Sequence, residues 1–180
     1  MIPFTVIGGY LGAGKTTLLN HILSEANGTR FALLVNDFGE VNIDGALIAS
    51  ETDTQINLTN GCVCCTLVDG FFDALEQLLN LEPAPEHIVV EASGVADVAN
   101  TAQYGRGPGL TLDSIIVVAD AETVREKSVD KYVGTTIQRQ LAAADIIVLN
   151  KVDLVEDKVL EDCCAWLAAS FPMTPKQQSQ

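Results

Sequence analysis

What this chain of 180 residues lacks narrows it first. Nowhere does it carry the ~18 uninterrupted apolar residues that a helix needs to span a bilayer. Its first residues lack the basic stretch, apolar run and cleavage site of a secretory signal. Only two histidines occur, His21 and His87, which excludes a His-rich metal-storage tract. Basic residues are scarce. Ten Lys and Arg face 24 Asp and Glu, giving a formal net charge of −14. Such a surface repels DNA, RNA and anionic membranes, and otherwise serves solubility. Aromatics make up 6% of the chain against 48% hydrophobic residues, which suits an aliphatic α/β core better than an all-β one. Cys62, Cys64, Cys65, Cys163 and Cys164 are odd in number and bunched, unlike a disulfide framework. A reduced, cytoplasmic protein is the expectation. No internal repeat or low-complexity block is visible.

What is present alternates short apolar runs with amphipathic stretches. That pattern argues for βα units around a mostly parallel central sheet, flanked by helices on both faces. Strands are expected at about Phe4 to Gly8, Phe31 to Val35, Gln55 to Leu58, Ile88 to Val90, Ser114 to Ala119 and Asp145 to Leu149. Helices are expected from Lys15 to about Ala26, from Leu67 to Leu81 with Leu75, Leu78 and Leu79 on one face, and from Asp157 to Ser170. Asp37 to Gly45 reads as a polar loop, and Gly105 to Gly109 as a mobile one. Residues 172–180 show no strand pattern and read as a flexible tail.

Gly9-Tyr10-Leu11-Gly12-Ala13-Gly14-Lys15-Thr16 fits G-x4-G-K-[ST], a P-loop, between an apolar strand and a helix. Glycines let backbone N–H groups, Ala13 among them, wrap phosphates, and the helix N-terminus adds partial positive charge. Lys15 would reach the β- and γ-phosphates, Thr16 would ligate Mg²⁺ and Thr17 would lie near the α-phosphate. Ile88-Val89-Val90 ends in Glu91, which would bind Mg²⁺ through water or orient the attacking water. Gly94 follows three residues later, where its N–H would meet the γ-phosphate.

Asn150-Lys151-Val152-Asp153 follows the apolar run Ile146 to Leu149. An Asp153 carboxylate can accept both N1–H and the 2-amino group of guanine, and adenine offers neither in that arrangement. Asn150 would contact the O6/N7 edge, and the Lys151 stem would lie over the ring. The phosphate ligand is therefore expected to be GTP. Gly61-Cys62-Val63-Cys64-Cys65 places three thiols within four residues. Thiolates select Zn²⁺, Co²⁺, Ni²⁺ or Cu(I), and three of them leave one position open, which favours transfer over permanent binding. A redox pair is the rival reading. Cys163 and Cys164, beside Leu160 and Leu167 on an amphipathic helix, read as core-facing or incidental.

P-loop, C-x-C-C, E-x-x-G and N-K-x-D in this order resemble the CobW family of P-loop GTPases, grouped with the urease and hydrogenase accessory GTPases. Gly8 to Leu19, Asn36-Asp37-Phe38-Gly39-Glu40, Asn60 to Cys65 and Asn150 to Asp153 carry the likeness. It implies a P-loop NTPase fold of the SIMIBI-like GTPase type. It also implies GTP hydrolysis coupled to handling of Zn²⁺ or Co²⁺, delivery to a client metalloprotein or cofactor-synthesis enzyme, and nucleotide-dependent dimerisation. Asp37 stands where the family usually has Glu, and the resemblance implies a role for it at Mg²⁺ and in catalysis. Family members carry a second, smaller C-terminal domain. The expectation here is a GTPase domain at 1–171, with that domain absent and the sheet's last strand missing. No lysine lies early in the P-loop, which disfavours the dimerising ATPases with a second signature lysine.

The expected cycle begins with GTP·Mg²⁺ on Gly9 to Thr16 and Asp153. The γ-phosphate draws in Asp37 to Glu40 and Gly94, and closure brings Cys62, Cys64 and Cys65 into metal-binding geometry. Hydrolysis releases the metal. Turnover is expected to be slow, because no arginine is obviously placed as a finger; Arg106 and Arg139 are the candidates. A non-catalytic, GTP-dependent metal-sensing regulator and a small-molecule kinase are the alternatives.

Overall fold

The computed structural model describes residues 1–25, 28–35, 54–57 and 67–179. Seven strands occur among them: β1 (Ile2–Gly8), β2 (Phe31–Val35), β3 (Thr54–Asn57), β4 (His87–Glu91), β5 (Leu110–Asp120), β6 (Ile146–Asn150) and β7 (Lys176–Gln178). They form one sheet in the order β3-β2-β4-β1-β5-β6-β7, with every neighbouring pair parallel. The apolar runs become strands because successive side chains alternate between two covered faces. Phe4 and Val6 enter one core and Ile7 the other. Likewise Ala32 and Leu34 oppose Leu33 and Val35, and Ile88 and Val90 oppose Val89.

Topology assigns the helices to their faces. Parallel crossovers are right-handed in nearly all proteins. The step from β1 to β2 runs toward the β3 edge and puts α1 (Lys15–Ser24) on one face, where Leu19 packs with Ile7 and Leu33. The later steps run toward β7. They put α2 (Leu67–Leu79), α3 (Val98–Tyr104), α4 (Val124–Ser128), α5 (Gly134–Ala143) and α6 (Asp157–Ser170) on the other. On α2, Phe71, Ala74, Leu75 and Leu78 follow the i, i+3, i+4, i+7 spacing of a single apolar face. Leu79 lies at its margin and is only partly buried.

Two features depart from the sequence reading. The stretch read as a strandless tail contains β7, which pairs with β6 at Ile147↔Lys176, Val148↔Gln177 and Leu149↔Gln178. The sheet's last strand is therefore present. It is an edge strand held by backbone bonds, so Lys176-Gln177-Gln178 needs no apolar alternation and shows none. Helices α3, α4 and α5 are not among the expected elements. They are short, and α5 buries the polar Gln140 among its core residues Ile137 and Leu141.

Candidate functional site

Because all the described strands are parallel, their carboxyl ends share one edge, where open α/β sheets hold ligands. Register fixes how those ends meet: Ile7 lies level with Glu91 and Asp120 with Asn150, while Gly8 lies level with Val117, so β5 and β6 run on beside the loop that follows β1. The Gly9–Gly14 loop therefore sits beside the ends of β4, β5 and β6. Gly9, Gly12 and Gly14 take φ of 135°, 75° and 100°. Gly14 immediately precedes α1, and no side chain caps that helix. Uncapped first-turn N–H groups behind a glycine turn form an anion cradle. Ala13 and Lys15 are buried, while Thr16 and Thr17 face outward.

The Thr16 hydroxyl donates to Glu91 Oε1 at 2.9 Å, and Glu91 is only 6% exposed. The two acidic-motif and P-loop residues thus meet although 75 positions separate them. Their oxygens are hard donors of the kind Mg²⁺ takes. Gly94 is buried against the P-loop. A Cβ there would stand 2.7 Å from the Leu11 backbone nitrogen and 2.6 Å from its Cδ2, so only glycine lets the segment after β4 approach this closely.

The N-K-x-D segment is joined to the same loop. Asn150 is 9% exposed, and its Nδ2 donates to the Ala13 carbonyl at 2.9 Å. A Cβ on Gly14 would come within 2.2 Å of that nitrogen. The amide expected at a base edge is thus engaged with the phosphate loop. Lys151 adopts φ 60°, and its Nζ pairs with Asp120 Oδ2 at 2.7 Å. Asp153 is exposed in the 3₁₀ turn Val152–Leu154. Val152 N–H donates to Ser179 O at 3.3 Å and Ser179 N–H to Leu149 O at 2.9 Å, so the segment after β7 buttresses that turn. Asp120 was missed by the sequence reading. Its signal was available: Val117-Val118-Ala119-Asp120 ends a buried strand on an acid, as Val89-Val90-Glu91 does.

Asp37, Cys62, Cys64 and Cys65 lie outside the described residues. Among the described residues no group of three or more His, Cys, Asp or Glu is placed to hold a metal ion. Cys163 is buried as expected, and burial, with Cys164 beside it, pushes its thiol up to about 11. Arg106 sits in the turn before β5, near the amino end of β1, where Ile2 N–H bonds Gly109 O. The length of β1, roughly 20 Å, separates it from the P-loop. Arg139 instead lines a cavity of about 470 Å³ with Trp166 and Phe171. No described helix is long and apolar enough to cross a membrane.

A glycine loop before an uncapped helix, a Lys–Thr pair at its start and an acid on a neighbouring strand end define a P-loop nucleotide-binding domain. More particularly, the chain belongs to the family described as CobW/HypB/UreG, nucleotide-binding domain, which matches residues 3–176. It is 35% identical over 184 residues to the zinc chaperone CobW of a Sinorhizobium species, covering 86% of this chain and 52% of that protein. To the zinc chaperone YjiA of Escherichia coli (strain K12) it is 36% identical over 182 residues, covering 96% and 56%. The crystal structure of a Zn(II)-bound triple mutant of the YjiA GTPase superposes with a TM-score of 0.71 at 30% identity, over 98% of this chain and 57% of that one. The hydrogenase maturation factor HypB of Archaeoglobus fulgidus shares the fold, with a TM-score of 0.70 at 16% identity over 98% and 80%. The chain spans about half the length of the curated relatives it matches.

Proposed function

We propose that this chain binds GTP with Mg²⁺, hydrolyses it slowly, and couples the cycle to handling a transition metal, zinc or cobalt, as cargo. One observation carries the reading: the Lys15 loop, the Thr16–Glu91 pair and the N-K-x-D segment share one sheet edge, joined through Asn150 and Ala13. The names of the relatives support both halves, zinc chaperones the metal and a Zn(II)-bound GTPase the nucleotide as well.

In this reading the N–H groups of Gly9 to Thr16 hold the phosphates, Lys15 neutralises the β- and γ-oxygens and Thr17 borders the α-phosphate. Asp153 accepts the two guanine donors. Thr16 and Glu91 would hold Mg²⁺, which when bound supplies countercharge for the phosphates. Asp37 would join them on closure. Glu91 orients the attacking water, and the Gly94 N–H faces the γ-phosphate. Attack is in line, with Lys15 stabilising the charge that develops. Cys62, Cys64 and Cys65 carry the cargo metal toward a client, and a second copy of the chain joins in the GTP state.

Phosphate release with GTP and ATP, each with and without Zn²⁺, tests this. GTP should turn over and ATP should not. Asp153→Asn should lower GTP affinity by about tenfold or more, since one charge-assisted acceptor is lost and an amide donor faces the guanine amino group. Xanthosine triphosphate, with a carbonyl at that place, should bind the variant better than GTP. Equal use of ATP and GTP by the wild type would sink the guanine reading. Replacing the three cysteines by Ser should abolish thiolate-to-Co²⁺ absorption in the GTP state.

A further inference from the structure

Gln140 is a buried amide that the proposed cycle does not use. It lies on α5, 2% exposed, between the core residues Ile137 and Leu141. A polar group so placed is costly unless hydrogen-bonded. Its Nε2 donates to Gly94 O at 3.2 Å and to Ala96 O at 2.9 Å, which occupies both hydrogens of that nitrogen. Both acceptors belong to the segment between Glu91 and α3. The other side of Gly94 lies on Leu11 of the P-loop, too close for any Cβ. Ala92 N–H bonds Ile7 O at 2.9 Å, and Ala96 N–H bonds Ser93 O at 2.9 Å. A glycine peptide, by nature the least constrained, is thus clamped between the phosphate loop and a helix of the core.

We propose that Gln140 is a positioning residue that holds Gly94 in place for the γ-phosphate, so that α5 sets the preference of the site for a triphosphate over a diphosphate. This rests on the reading of Gly9 to Thr16 and Gly94 as the GTP site. On that reading a diphosphate ends short of Gly94, so the clamp acts on GTP alone.

Gln140→Met keeps the length of the side chain and removes the donor. Its affinity for a non-hydrolysable GTP analogue should fall about tenfold while its GDP affinity stays within about twofold. kcat should fall with it. Gln140→Glu, an acceptor facing two carbonyls, should repeat the selective loss, so the test survives if one variant folds poorly. Gln138→Met removes a comparable bond on the same helix, from Gln138 Nε2 to Ser128 O, and should change neither affinity. Equal losses for GTP analogue and GDP, or no loss for either, overturn the clamp. The Gly94 amide resonance of the wild type separates the two levels. If it shifts with the GTP analogue and not with GDP, the site reading stands whatever Gln140 does. If the γ-phosphate leaves it unmoved, the site reading falls and the clamp with it.

Discussion

At φ 60° Lys151 occupies backbone that costs a side chain about 1 kcal/mol or more. The Asp120 carboxylate, whose side chain is 12% exposed, holds its ammonium at 2.7 Å. Sequence spacing marks Lys15, Thr16, Glu91 and Asp153 as candidates because their motifs are local. It hides Asp120 and Gln140, whose partners lie 31 and 44 to 46 positions away. His87 is another such residue. Its Nε2 lies 2.8 Å from Thr5 Oγ1, and that hydroxyl donates to Asp113 Oδ2 at 3.2 Å. Burial lowers the pKa of His87, and Asp113 opposes the shift only in part. The unfolded chain therefore takes the proton first as pH falls below about 6.5, and stability is lost on acidification. His87→Gln removes that loss. Thermal unfolding at pH 7.5 and 5.5 should show the melting temperature of the wild type falling further than that of the variant; equal falls would contradict the assignment.

At the scale of elements, patterning revealed what is buried on both faces. β2, β4 and β6 carry continuous apolar runs, β1 one broken by the buried Thr5, and α2 and α6 carry helical ones. What escaped was held by backbone bonds or polar contacts: β7, and α3, whose first turn is capped by Asp97 Oδ1 accepting from Ala99 and Asn100 N–H. β7 still matters to the site, because Ser179 O receives the Val152 N–H beside Asp153. Deleting residues 175–180 strips the acceptors of Ile147 and Val152 N–H and the donor to Leu149 O. At ~1 kcal/mol per bond, unfolding free energy should drop by roughly 2 to 4 kcal/mol. Binding of GDP and GTP should weaken together, since the turn proposed to read the base, and not the phosphate loop, loosens. Denaturant unfolding and a nucleotide titration on the shortened chain check both, and an unchanged nucleotide affinity would detach β7 from the site.

For the whole molecule, the governing property is charge. A net charge of −14 surrounds a site proposed to take a polyanion, with Lys15 and Lys151 among only ten basic residues. Long-range repulsion must slow the approach of the nucleotide, while the local cradle holds it once it arrives. Raising ionic strength about tenfold screens the far field beyond a few ångströms and should speed association of Mg·GTP. Stopped-flow binding should show the on-rate rising with salt, opposite to an attractive-steering site; a falling on-rate would place enough positive potential at the mouth to outweigh the bulk. Net charge was readable from composition, whereas the placement of the few cations required the fold.

The hydrogen bond from Asn150 to the Ala13 carbonyl has a consequence for how the two ends of a ligand cooperate. It fixes the spacing between the phosphate loop and the N-K-x-D segment before anything binds. In the proposed reading a guanine nucleotide is a bivalent guest meeting a pre-spaced host. Once one end lands, the other sees its partner at high effective concentration instead of searching for it. Guanosine and inorganic triphosphate offered separately forfeit that advantage, even if each finds all of its own contacts.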